Sequence, residues 1–158
     1  MLFLDEPTVG LDPRIRAEPL DVIAGLRDRS ETTILLTTHY LDEAERLCDR
    51  LAIMHEGTIV ALDSPSKLRA ELGDEIVELR VHGSGVIALD AVRAGGLAGE
   101  DAFAIGATVT VPQHGRRGAD TVRAIGASGL RTVSVATRET TLDDVYLRLT
   151  GGFLIEAA

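Results

Sequence analysis

The sequence predicts an α/β segment with parallel strands followed by a small α+β domain. Three observations lead there. Two short apolar runs, residues 1–4 and the β-branched 32–38, flank a stretch of helical periodicity. A break at Gly73-Asp74 then closes the first part. Beyond it, strand and helix patterns follow in the order βαββαβ, with one more helix at the end. The domains are therefore expected at residues 1–73 and 74–158.

The elements follow from local rules. Residues 1–4, ending in acids, read as a strand buried on both faces. Asp12-Pro13 reads as an N-cap with proline at the first helical position, and Ile15, Val22, Ile23 and Leu26 form one helical face. Pro19 on that face conflicts locally with a helix begun at Pro13. After the second strand comes His39, then a short helix with Asp42 and Glu43 in its first turn and Leu41, Ala44, Leu47 and Cys48 facing inwards. Residues 51–62 predict a hairpin turning at Gly57. Ser64-Pro65 opens a helix that carries Leu68 and Leu72 and stops at Gly73. In the second part, Val77, Leu79 and Val81 alternate with Glu78 and Arg80 as a strand. A helix over 86–94, strands at Phe103/Ile105 and Val109/Val111, a helix ending at Gly129 and a strand with Val133 and Val135 complete a ferredoxin-like pattern. The capping box of Thr141 and Asp144 starts the last helix, which buries Leu142, Val145, Tyr146 and Leu149 and ends at Gly151.

Composition narrows the function. A formal charge of −9 argues against nucleic acid as a partner, since that affinity comes mainly from Lys and Arg on phosphates. No apolar run approaches the roughly 20 residues that cross a bilayer, and the single cysteine, Cys48, suits a reducing compartment. Lys67 is the only lysine.

A βαβ crossover is almost always right-handed, so the first two strands should be parallel neighbours with their C-terminal ends on one edge. Asp5 and Glu6 follow the first strand and His39 follows the second. Ligands of open α/β sheets bind outside such ends. Two carboxylates and an imidazole there would hold a hydrated Mg²⁺, orient a water and donate a hydrogen bond to a phosphate oxygen. The other groups have plainer readings. The acid-rich stretch 42–45 reads as a solvated face, Cys48 as a small buried apolar residue, and His55, His82 and His114 as surface residues.

Leu2-Phe3-Leu4-Asp5-Glu6-Pro7-Thr8, followed by Gly10-Leu11-Asp12-Pro13, resembles the Walker B segment and D-loop of an ABC-transporter ATPase subunit. Thr37-Thr38-His39 is similar to its switch-histidine loop. The stretch from Tyr40 to Arg50 and the hairpin ending at Gly57 resemble the antibiotic-resistance, daunorubicin-type exporters, and residues 74–158 their accessory C-terminal domain. The resemblance implies half of a P-loop NTPase domain using ATP and Mg²⁺. It implies that Asp5 holds the metal, Glu6 polarises the attacking water and His39 contacts the γ-phosphate, with Asp12 in the segment facing a second ATP-binding subunit across the nucleotide. It further implies a membrane permease as partner, a cytoplasmic place at the inner face of the membrane through that permease, and a parent that exports a drug or hydrophobic compound. The family's phosphate loop, G-x-x-x-x-G-K-S/T, does not occur in these residues, where Lys67 stands in Pro65-Ser66-Lys67-Leu68. The glutamine loop and the LSGGQ-type signature do not occur either. The expectation is thus a C-terminal portion without ATPase activity by itself, such as a truncated or split gene or a misplaced start would give. A non-catalytic dimerisation or docking module, or a gene remnant, is the alternative.

Overall fold

The computed structural model describes residues 1–29 and 32–151. The chain divides into two compact units, Met1–Leu51 and Ala52–Ala158.

The first unit holds β1 (Leu2–Asp5), α1 (Ala17–Arg29), β2 (Ile34–Thr37) and α2 (Leu41–Leu47). β1 and β2 are parallel, in register from Leu2 opposite Ile34 to Asp5 opposite Thr37. Leu20 and Ile23 of α1 and Leu47 of α2 are buried, and Leu4, Ile34 and Leu36 pack against them. Among the described residues only that face of the strand pair is covered. Phe3 is 66% exposed and Leu35 53%, so the expectation of a strand buried on both faces is corrected.

The helix expected from Pro13 begins at Ala17 instead. Asp12 caps a turn ahead of it: its carboxylate accepts from Arg14 N at 2.8 Å, and its carbonyl accepts from Ile15 N and Arg16 N. The late start removes the conflict at Pro19, which now lies in the first turn, where its missing N–H has no intrahelical partner to lose. It also changes the buried face. Ile23 is buried as expected, but Leu20 joins it, while Ile15, Val22 and Leu26 are exposed and line an apolar groove of about 520 Å³ beside β1.

The hairpin of β3 (Leu51–His55) and β4 (Thr58–Asp63) turns on Glu56 and Gly57, both at positive φ (47° and 76°). That is the two-residue turn whose twist matches the flanking strands. Ser64 caps α3 (Pro65–Leu72) by accepting from Lys67 N, and Gly73 at φ 99° ends it.

In the second unit, β5 (Glu75–Val81), α4 (Gly85–Ala94), β6 (Phe103–Ile105), β7 (Thr108–Gln113), α5 (Gly118–Ala127) and β8 (Thr132–Glu139) follow in the expected order. The four strands form a sheet in the order β8-β5-β7-β6, and every pair is antiparallel. Val77, Leu79, Val109 and Val111 are inaccessible to solvent and pack with Ala88, Leu89 and Val92 of α4 and Ile125 of α5. The last helix, α6 (Leu142–Thr150), begins with the full capping box: Thr141 accepts from Asp144 N, and Asp144 accepts from Thr141 N. Leu142 and Val145 are buried, while Leu149, expected in the core, is 41% exposed.

Candidate functional site

The parallel pairing of β1 and β2 delivers two chain segments to one rim. Asp5, the last residue of β1, sits opposite Thr37, whose hydroxyl donates to Asp5 Oδ1. Glu6 N donates to both the carbonyl and the hydroxyl oxygen of Thr37, at 3.1 Å each. Glu6 itself adopts φ 46°, a left-handed conformation that costs a non-glycine residue about 1–2 kcal/mol. Strained backbone of this kind persists where surrounding contacts impose it and concentrates at functional sites. Here it accompanies a carboxylate held over the end of β2. Glu6 Oε2 accepts from His39 N at 3.3 Å and meets His39 Nδ1 at 2.9 Å. An ionised carboxylate only accepts, so a hydrogen bond at this contact requires the proton on Nδ1. Both side chains keep about a third of their surface open, Glu6 33% and His39 37%.

The structure therefore brings Asp5, Glu6 and His39 to the same edge. Asp12 does not join them through any contact of its own carboxylate, which is exposed and engaged with Arg14 N.

Beneath the rim is a second group, unforeseen in the sequence. Glu43, on α2, is 1% exposed and Thr8 is inaccessible. This corrects the solvated-face reading of residues 42–45 at Glu43, whereas Asp42 is exposed as that reading has it. Thr8 Oγ1 donates to Glu43 Oε1 at 2.6 Å and Thr38 Oγ1 donates to Glu43 Oε2 at 3.0 Å. Arg16 Nε stands 3.9 Å from the same carboxylate, with its guanidinium 3.8 Å over the Tyr40 ring. The Tyr40 ring lies 4.0 Å from the ring of His39. One signal in the sequence does bear on Glu43: it stands four residues before Leu47, and such a pair shares a helix face.

Among the described residues no group of three or more His, Cys, Asp or Glu could enclose a metal. Mg²⁺ does not require one. It keeps several waters and binds through one or two carboxylates plus substrate phosphates, and the hard oxygen donors of Asp5 and Glu6 fit it. At Cys48, burial, with Asp49 beside it, disfavours the thiolate and pushes the thiol above its ordinary range, against a smaller opposing effect of Arg27. In the second unit His114 pairs with Asp101 through Nε2, a partner that sequence spacing concealed.

No family model matches the chain. Among curated proteins it is 37% identical over 160 residues to the daunorubicin/doxorubicin resistance ATP-binding protein DrrA of Streptomyces peucetius, covering 96% of this chain and 46% of that protein. It is 39% identical over 157 residues to the Nod factor export ATP-binding protein I of Burkholderia orbicola, covering 96% and 47%. A fluoroquinolones export ATP-binding protein of Mycobacterium tuberculosis matches at 38% over 156 residues, covering 96% and 44%. The chain spans about half the length of the curated relatives it matches. Over that half, it is homologous to ABC transporter ATP-binding proteins and matches those of the daunorubicin-resistance type.

Proposed function

We propose that these residues form the part of an ABC exporter's ATP-binding subunit that positions water and metal for ATP hydrolysis. The observation that carries this reading is the 2.9 Å contact between Glu6 and His39 across the rim of two parallel strands. In it, the Glu6 carboxylate accepts a hydrogen bond from the attacking water and takes up its proton. Asp5 holds Mg²⁺, which supplies charge neutralisation for the phosphates. His39 faces the γ-phosphate with its free ring nitrogen. A neutral ring that donates Nδ1–H to Glu6 presents only a lone pair at Nε2. To donate to phosphate, His39 must therefore be doubly protonated or give up its bond to Glu6. Asp12 belongs to the segment that meets a second ATP-binding subunit.

Residues 1–73 then form half of a nucleotide-binding domain. Residues 74–158 form an accessory domain of ferredoxin-like type, a reading supported by the βαββαβ order and the strand order β8-β5-β7-β6. The names of the relatives favour export of a drug or other hydrophobic compound, through a membrane permease that keeps the subunit at the cytoplasmic face. Among the described residues no helix is long and apolar enough to cross a membrane. Without a phosphate-gripping loop these 158 residues do not turn over ATP by themselves.

The test is Mg-dependent ATP hydrolysis by the purified chain, and by the same chain fused behind a first half that carries the phosphate loop and signature of a relative. Turnover is expected only in the fusion. Hydrolysis by the 158 residues alone that follows Glu6 would contradict the proposal, and so would a folded, nucleotide-binding fusion with no turnover.

A further inference from the structure

Taking Glu6 and His39 in the roles proposed above, we infer that Glu43 is a positioning residue: a buried carboxylate that clamps the segment after Glu6 to the segment before His39 and so fixes their contact. Its two oxygens are divided between those segments. Oε1 takes the hydroxyl of Thr8, two residues after Glu6, and Oε2 takes that of Thr38, one residue before His39. Thr38 Oγ1 also accepts from Tyr40 N at 3.0 Å, so the chain on both sides of His39 is tied to the same carboxylate. The third support is Arg16, whose charge faces Glu43 and whose guanidinium covers Tyr40, against which the His39 ring packs.

Stability alone gives little reason for this arrangement. Desolvating a carboxylate is costly, and its nearest cation among the described residues, Arg16, stands 3.9 Å away, beyond hydrogen-bond distance. An apolar side chain of similar volume would fill the same space. What the carboxylate adds is direction: two charge-assisted bonds of fixed geometry, one to each segment, at a point where Glu6 also holds a strained φ. Supporting bonds of this kind set the geometry of the groups that do chemistry.

The readout is the tautomer of His39 in the full 158-residue chain, from long-range ¹H–¹⁵N correlation at about pH 9, where an imidazole is neutral. In the unsubstituted chain the Nδ1–H form is expected, held by Glu6. Glu6→Ala should lower the ratio of Nδ1–H to Nε2–H roughly tenfold. Glu43→Ala should lower it by a similar factor although Glu6 is untouched. Glu43→Gln should retain most of it, since an amide can accept from Thr8 and donate to Thr38. Thr8→Val, nearly isosteric and removing one arm of the clamp, should fall between, and it decides the matter if Glu43→Ala does not fold. An unchanged tautomer ratio in Glu43→Ala, or in Thr8→Val where that variant decides, with only stability altered, would overturn the positioning role and leave the Glu6–His39 pair standing. A ratio indifferent to Glu6→Ala would overturn the pair itself, and the clamp with it.

Discussion

Glu6→Gln, placed in a fusion that carries a phosphate loop, is expected to slow Mg-ATP turnover by about 10²- to 10⁴-fold, the usual worth of a positioned general base. Glutamine keeps the length of the side chain, and its amide oxygen can still accept from His39, so the rim is conserved while the basic site proposed for the water's proton is lost. Nucleotide binding depends on the phosphate loop rather than on this carboxylate. The loss should therefore appear in kcat with KM little changed. Steady-state kinetics across ATP concentrations separate the two. A rise in KM at constant kcat would mean that Glu6 binds substrate and does not act on the water.

Asp144→Ala is expected to destabilise the second unit by about 3 kcal/mol, read as a lower urea midpoint. Asp144 is 2% exposed and receives Arg138 twice, Nη1 on Oδ2 at 2.6 Å and Nη2 on Oδ1 at 2.7 Å. It also accepts from Thr141 N and Thr141 Oγ1, both at 2.9 Å. Truncation removes the capping box and leaves Arg138 with Glu78 as its remaining carboxylate partner. Burial works to raise the Asp144 carboxyl, but the bonds from Arg138 and Thr141 outweigh it and hold the group below its ordinary value of 3.8. Arg138 is correspondingly held above the usual arginine range, chiefly by its hydrogen bond to Asp144. A depressed folded-state value means that the stabilisation is complete above pH 3.8 and is lost as pH falls through the lower, folded value. The stability gap between the native chain and Asp144→Asn should accordingly close in strong acid. A gap that persists unchanged at the acid end would rule out the ionised pair as its source.

Much of this architecture is written locally. The two-residue turn at Glu56-Gly57, the Ser64 cap with Pro65 behind it, the stop at Gly73 and the reciprocal bonds of Thr141 and Asp144 each follow from a few adjacent residues. The parallel pairing of β1 and β2, which brings Asp5, Glu6 and His39 together, follows from the single helical crossover between them. What escaped was set by tertiary contact. Periodicity marks Ile15, Val22 and Leu26 as wanting cover but is silent about whether cover exists, and in the structure they line an open groove. The turn capped by Asp12 satisfies every local rule for a helix start, yet the chain does not continue it until Ala17. Glu43 sits among three other charged residues, and composition makes that stretch solvent-facing. The hydroxyls of Thr8 and Thr38, thirty-five and five residues away in sequence, together with the charge of Arg16, give its carboxylate a reason to be buried. The bond to Thr8 lies outside any short window along the chain.

The most direct test of the central claim, that Glu6 and His39 act as one unit at a shared strand rim, is a double-mutant cycle on kcat in the phosphate-loop fusion. The four proteins are the native sequence, Glu6→Gln, His39→Ala and the two together. Residues that act as a unit are strongly non-additive, so the double variant should be no slower than about the slower single one. If the two losses multiply instead, Glu6 and His39 work independently and the shared rim has no mechanistic meaning.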